Sequence, residues 1–501
     1  MRRPMTESSA RPAPRRAAGA LLGVVLLGAL LAVPSGAPSG DVTPSSGRPF
    51  VWDRDTTWEA LQYRFEAART AGCSGVAATD SAFVGLTSAV DAVSSAAALS
   101  VGAPSLDSLE HRLFTVGAIV AACPARQAEY LALAAQAREA VKRHSRAWDM
   151  TRTETRDRLY RALYGTRAAI EEVLLQQPAA SFALSEGPTA PSAAPSAVVH
   201  GVTLHSGDLL VSRGGYPTSA LIARGSDYPG NFSHVALVHV DQDSHEVLVI
   251  EAHIERGVAV ATAEVYLADK KLRVLVLRPR ADLPALRRDP LLPHRAASAM
   301  LDRARAEHIP YDFAMDYSDP SRLFCSEVAS AAYATQGVTL WTGISTITAP
   351  GLRRWLGGFG VTHFETQEPS DLEYDPQLVT VAEWRDPAAL RGDHIDNAVT
   401  DAMLEGAERG DVISFQWWQL PAARLLKGYS VVREALGGVG PIPEGMSAAA
   451  ALRNKAYTTR HRELAVAVDA AATAWEAERG YPPPYWVLVQ LARDAVAGEG
   501  R

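Results

Sequence analysis

The chain has 501 residues, 47% hydrophobic and 21% charged, a length and mix that suit two or three globular domains, each with its own core. A formal net charge of −7, with no Lys/Arg cluster interleaved with aromatics, argues against nucleic acid as a partner. No P-loop and no Gly-x-Ser-x-Gly elbow occurs.

At the N-terminus, Arg15 and Arg16 precede an uninterrupted apolar run, Ala17–Val33, followed by Pro34, Ser35, Gly36 and Ala37. Positive, then apolar, then small and turn-forming is the order of a secretory signal. At 17 residues the run also reaches the short end of a membrane span, so residues 1–37 read as a signal peptide or an uncleaved anchor. No cysteine follows the run, which argues against a lipoprotein anchor. The body is expected to be secreted or held in the cell envelope, touching a membrane only through this segment.

An oxidising compartment tends to pair cysteines, and there are three. Cys73 and Cys123 lie in one N-terminal region and are expected to bridge, leaving Cys325 unpaired. Residues 50–177 are rich in Ala, Leu, Arg and Glu; Trp58, Leu61, Gln62, Phe65 and Ala68 have helical spacing, as do Tyr130, Leu133, Ala134, Ala137 and Val141. An all-helical domain is expected there. Residues 178–199, rich in Pro, Ala and Ser, read as a linker.

The texture then changes. Runs at 208–212, 233–240, 246–251, 257–262 and 273–277 are rich in β-branched residues and Leu and separated by polar turns, which predicts a compact antiparallel sheet or small barrel. Helical texture returns over Pro293–His308 and after Cys325. A helical C-terminal region follows over 387–501, with Asn397–Glu408, Ala448–His461 and Leu464–Arg479 as its clearest helices. The fold class is therefore α+β, with 200–386 as the mixed domain.

Two constellations carry chemistry. A four-residue loop, 241–244, would set Val240 opposite His245 and place His234 directly opposite Glu251 on one sheet face. A carboxylate there fixes the imidazole tautomer and favours the imidazolium. In Leu323-Phe-Cys-Ser-Glu-Val, a helix carrying Val328, Ala331, Ala332 and Thr335 on one stripe begins at or near Cys325, with Gly337 as its stop signal. The helix N-terminus lowers a thiol pKa and offers N–H groups to an oxyanion.

The order Gly-Asp-Leu-Leu, Ser-His-Val-Ala-Leu-Val, Val-Ile-Glu-Ala, Tyr-Asp-Phe, Phe-Cys-Ser-Glu-Val resembles the YiiX-type permuted papain-like amidases, relatives of the NlpC-type cell-wall peptidases. In that permuted group the strands precede the cysteine helix, as they do here. The resemblance covers about Gly201–Gly337 and reaches toward Asp386. It implies Cys325 as nucleophile, His234 as general base and Glu251 as the orienting third residue, with Tyr311 lining the substrate site. The implied reaction is cleavage of an amide or isopeptide through an acyl-enzyme, without metal or organic cofactor, on a peptide such as a cell-wall peptide. Lipid esters or acyl-amides are the alternative substrates, and a silent binding module is the alternative of a different class. A zinc site from His253, Glu251 and Cys325 lacks a recognised ligand spacing. The pair Trp417–Trp418 reads as core.

Overall fold

The computed structural model describes residues 48–50, 56–72, 76–176, 184–188, 190–343 and 345–499. The apolar run Ala17–Val33 and Cys73 lie outside them. Among the described residues no helix is long and apolar enough to cross a membrane.

The N-terminal region folds as helices α1 (Thr56–Ala71), α2 (Val76–Ser95), α3 (Pro104–Ala122), α4 (Gln127–Ser145) and α5 (Thr153–Gln176). Each turns a stripe spaced by three or four residues inward, as with Leu61 and Phe65 on α1, Leu106, Leu109 and Leu113 on α3, and Leu159 and Leu163 on α5. Pro104 occupies the first turn of α3, where its missing N–H costs nothing.

Next come β1 (Leu184–Glu186), β2 (Ser196–Val199), β3 (Val202–His205), β4 (Leu209–Gly214), α6 (Pro217–Arg224), β5 (His234–Val240), β6 (Val247–His253), β7 (Gly257–Thr262), α7 (Ala263–Ala268) and β8 (Lys271–Pro279). Helices α8 (Pro284–Arg288), α9 (Leu292–Ala306) and α10 (Cys325–Ala334) follow, then β9 (Ser345–Thr346), α11 (Pro350–Phe359), β10 (Glu365–Thr366), α12 (Asp371–Tyr374) and β11 (Leu378–Arg385). The C-terminal region comprises α13 (Leu390–Arg409), α14 (Leu420–Ala435), α15 (Ala448–Arg479) and α16 (Tyr485–Gly498).

The main sheet is antiparallel, in the order β1-β11-β8-β4-β5-β6-β7. All five strands expected between 208 and 277 are in it. Alternation along β5 sends Val235 and Leu237 into a cluster with Val328, Ala329 and Ala332 of α10. Ala236, Val238 and Val240 go to the other face, with Val249, Val276 and Tyr266. Within the segment read as a linker, Leu184–Glu186 pairs with β11 and Ser196–Val199 with β3.

The β5–β6 register differs from the expected one. Ala236, not His234, lies opposite Glu251, and Val240 lies opposite Val247, so the loop runs from 241 to 246. Asp241 Oδ1 accepts the N–H groups of Asp243 (3.1 Å) and Ser244 (2.8 Å), and His245 takes a left-handed φ of +58°. This side-chain-stabilised turn withdraws two more residues from the ladder than a tight loop would. A shift of two preserves the sheet face.

Two further expectations change. Residues 448–479 form one helix rather than two, since no Gly or Pro interrupts Arg462–Glu463. Trp417 and Trp418 are not core: they are 69% and 62% exposed.

Buried ion pairs join the three regions. Arg273 of β8 pairs with Glu171 of α5 and Asp393 of α13. Arg167 of α5 reaches Glu373 (2.6 Å) and Glu383 (3.0 Å), and Arg224 of α6 reaches Asp401 of α13 (2.8 Å).

Candidate active site

Cys325 opens α10, which begins where the chain leaves an extended segment at Phe324 (φ −90°, ψ 174°). Glu327 reaches back to accept the Phe324 N–H at 2.9 Å, fixing the first turn. The Glu327 N–H donates to the Phe324 carbonyl at 3.1 Å; the N–H groups that open a helix otherwise lack intrahelical acceptors and suit an external oxyanion. The helix closes through Gly337, whose φ of +70° a side chain would strain.

The thiol lies against the start of β5, with Sγ 3.9 Å from the Ser233 carbonyl and 4.0 Å from Ser326 Oγ. It therefore packs on the backbone flanking His234. The expected lowering of its pKa is overridden: burial pushes the resting thiol up to about 11, with bonds from Ser326 and the Val235 N–H offsetting part of the rise. Cys325 is the free cysteine among the described residues. Cys123 is disulfide-bonded.

His234 and Glu251 meet diagonally across β5 and β6. His234 Nε2 donates to Glu251 Oε2 at 2.6 Å, the short distance of a bond to a charged acceptor. That leaves Nδ1 as the ring nitrogen available to a thiol. Burial lowers the pKa of His234, and Glu251 opposes the decrease. Burial alone would raise Glu251, but hydrogen bonds from His234 and His253 hold it well below the usual carboxylate range. It is an anion throughout the neutral range.

His253, which the sequence offers only as a zinc ligand, is a second partner of Glu251. Its Nε2 lies 3.0 Å from Glu251 Oε1, and the bond to Glu251 raises its pKa. Two residues beyond Glu251 in a strand means the same face, so alternation alone could have found it. Glu368 was also missed. It is 6% exposed, and burial beside Asp371 and Asp227 raises its pKa well above that of an ordinary carboxyl. When ionised it raises the Cys325 pKa further, yet it stands on a connecting segment with no local pattern to announce it.

Tyr311 runs beside the entry to α10. The Leu323 N–H donates to the Pro310 carbonyl (3.1 Å) and the Asp312 N–H to the Leu323 carbonyl (3.3 Å). Burial raises the Tyr311 pKa, and the thiolate form of Cys325 would raise it further, so the phenol stays protonated. Among the described residues no group of three or more His, Cys, Asp or Glu side chains is arranged to hold a metal.

Residues 203–382 match the family described as "Permuted papain-like amidase enzyme, YaeF/YiiX, C92 family". The matched span runs from β3 into β11, taking in β4–β8 of the main sheet, and includes Cys325, His234 and Glu251. That family is one of cysteine peptidases and amidases, which supports hydrolase activity for this chain. No curated protein and no solved structure matches it.

Proposed function

We propose, for a chain whose residues 203–382 form a permuted papain-like amidase domain, that Cys325, His234 and Glu251 act as a triad that cleaves amide or isopeptide bonds. The observation that carries this reading is the 2.6 Å His234–Glu251 bond, on a histidine whose backbone neighbours hold the thiol.

The resting state is a neutral thiol beside a neutral imidazole. As the substrate carbonyl approaches, His234 Nδ1 takes the thiol proton and Sγ bonds to the carbonyl carbon. The carbonyl oxygen becomes an oxyanion, met by N–H groups at the α10 N-terminus. Glu251, already ionised, stabilises the imidazolium without taking its proton. The imidazolium gives that proton to the leaving amine as the C–N bond breaks, leaving a thioester on Cys325. Water, deprotonated by His234, attacks the thioester, releasing the carboxylic acid and the thiol. Tyr311 lines the substrate site.

The substrate we favour is an exported peptide, such as a cell-wall peptide, in keeping with the signal-like segment at 1–37. We further assign 50–177 and 387–501 as helical regions flanking the hydrolase. Turnover of matched peptide amides, isopeptides and lipid acyl esters, with Cys325→Ala as blank, tests this. Faster Cys325-dependent cleavage of lipid esters would replace the peptide reading with the acyl-lipid one. No Cys325-dependent turnover of any class would favour a silent binding module.

A further inference from the structure

Helix α14 carries apolar side chains on both of its sides. Its buried side carries Leu420, Ala423 and Ser430. Its outer side carries Leu425, Tyr429 and Val432, continued by Leu436, with exposures of 65%, 53%, 61% and 83%. Positions 425, 429, 432 and 436 fall on one helical stripe, so this is a continuous apolar ridge in solvent. Trp417 and Trp418, both exposed, stand at its head.

We infer that this ridge seats on the surface of an anionic lipid bilayer. Residues 412–439 hold three basic side chains against one acid, Glu434, a local excess of 3 − 1 = +2 in a chain of net charge −7; Arg424 and Arg433 flank the ridge, while Lys427 turns to the opposite side and donates to the Pro443 carbonyl at 2.7 Å. Basic charge beside an apolar helix face is attracted to anionic headgroups. Trp and Tyr beside such a face match the interfacial belt, where an amphipathic ring sits between acyl chains and water. A second copy of the same face would bring like charges together, which opposes self-pairing.

The ridge is joined to the candidate active site. Ser430 Oγ accepts the Ile442 N–H at 3.0 Å, on the side of α14 opposite the ridge. Ile442 and Met446 then pack with Ile254, next to His253, and with Phe313. The Phe313 ring lies 5.0 Å from that of Tyr311. A bilayer under α14 therefore sets the Tyr311 side of the site near the membrane surface. The docking inference is independent of the catalytic reading.

The test uses the full chain carrying Cys325→Ala, with a spin label attached through Leu425→Cys or, as control, through Val466→Cys on α15, which is 72% exposed and off the ridge. On vesicles of phosphatidylcholine with phosphatidylglycerol, the 425 label should gain oxygen accessibility and lose contact with an aqueous nickel complex. The 466 label should stay aqueous. Pure phosphatidylcholine, high salt, or Trp417→Ser with Trp418→Ser should each reduce insertion at 425 by about tenfold. A 425 label that stays aqueous on the vesicles overturns the inference. So does one shielded from both probes without vesicles: doubled mass would then assign the ridge to a second copy, and unchanged mass to another segment of this chain.

Discussion

Replacing Glu251 by Gln keeps the size and one acceptor oxygen of the side chain but removes the charge that two histidines share. The carboxylate is 3% exposed, accepts from His234 at 2.6 Å and sits 3.0 Å from His253, so solvent cannot stand in for it. A hydrogen bond to a charged group contributes about 1.5–3 kcal/mol, and this one strengthens as the imidazolium forms. Lost only in the transition state, that energy corresponds to an acylation rate lower by about 10- to 150-fold. The pH profile carries a second signature. Burial already lowers the His234 pKa and Glu251 opposes it, so removing the charge lowers it further. The acid limb, where neutral His234 is needed as base, should move to lower pH while the plateau falls. Single-turnover acylation against pH, on variants with unchanged circular dichroism, measures both. A rate within twofold of the native enzyme, or an acid limb moving to higher pH, would refute the proposed role of Glu251.

His253→Asn frees Glu251 Oε1 from one partner while His234 keeps its own, so acylation should fall about three- to tenfold, less than for Glu251→Gln, in the same assay. Glu327, pushed up to about 8 by burial, folds preferentially in its protonated form. Its stabilisation is complete below the unfolded-state value of about 4.3 and is lost as pH rises through the folded value. Urea titrations from pH 5 to 9 should therefore show a stability decline that Glu327→Gln flattens. Arg273→Met leaves Glu171 and Asp393 as buried, less-compensated charges, and should cost about 3–5 kcal/mol by denaturant unfolding.

Strand and helix texture were legible because burial imposes a period. β5 and β6 read as continuous apolar runs, and the α10 stripe from Val328 to Thr335 predicted a helix beginning at the cysteine. The face shared by His234 and Glu251 was legible too, although the register was off by two, because face depends only on parity. What could not be read was set by contacts remote in sequence. The strand at Leu184–Glu186 exists because β11 offers it an edge, and its own residues carry no strand pattern. Glu368 reaches the thiol's surroundings through tertiary folding alone. The resting thiol pKa was expected to be low from the helix N-terminus, but that effect depends on exposure, and Cys325 is only 4% exposed. Trp417 and Trp418 were misread because composition favours burying indole, whereas the turn ahead of α14 leaves both in solvent and it is Leu420 and Ala423 that pack inward.

The central claim is that His234 activates Cys325 for acyl transfer. The direct measurement is labelling of the full chain by an acylating electrophile, read by intact mass and peptide mapping. The account predicts a single adduct, on Cys325, whose rate rises with pH as His234 loses its proton and collapses in His234→Ala. An adduct elsewhere, or equally fast labelling of Cys325 in His234→Ala, would contradict it.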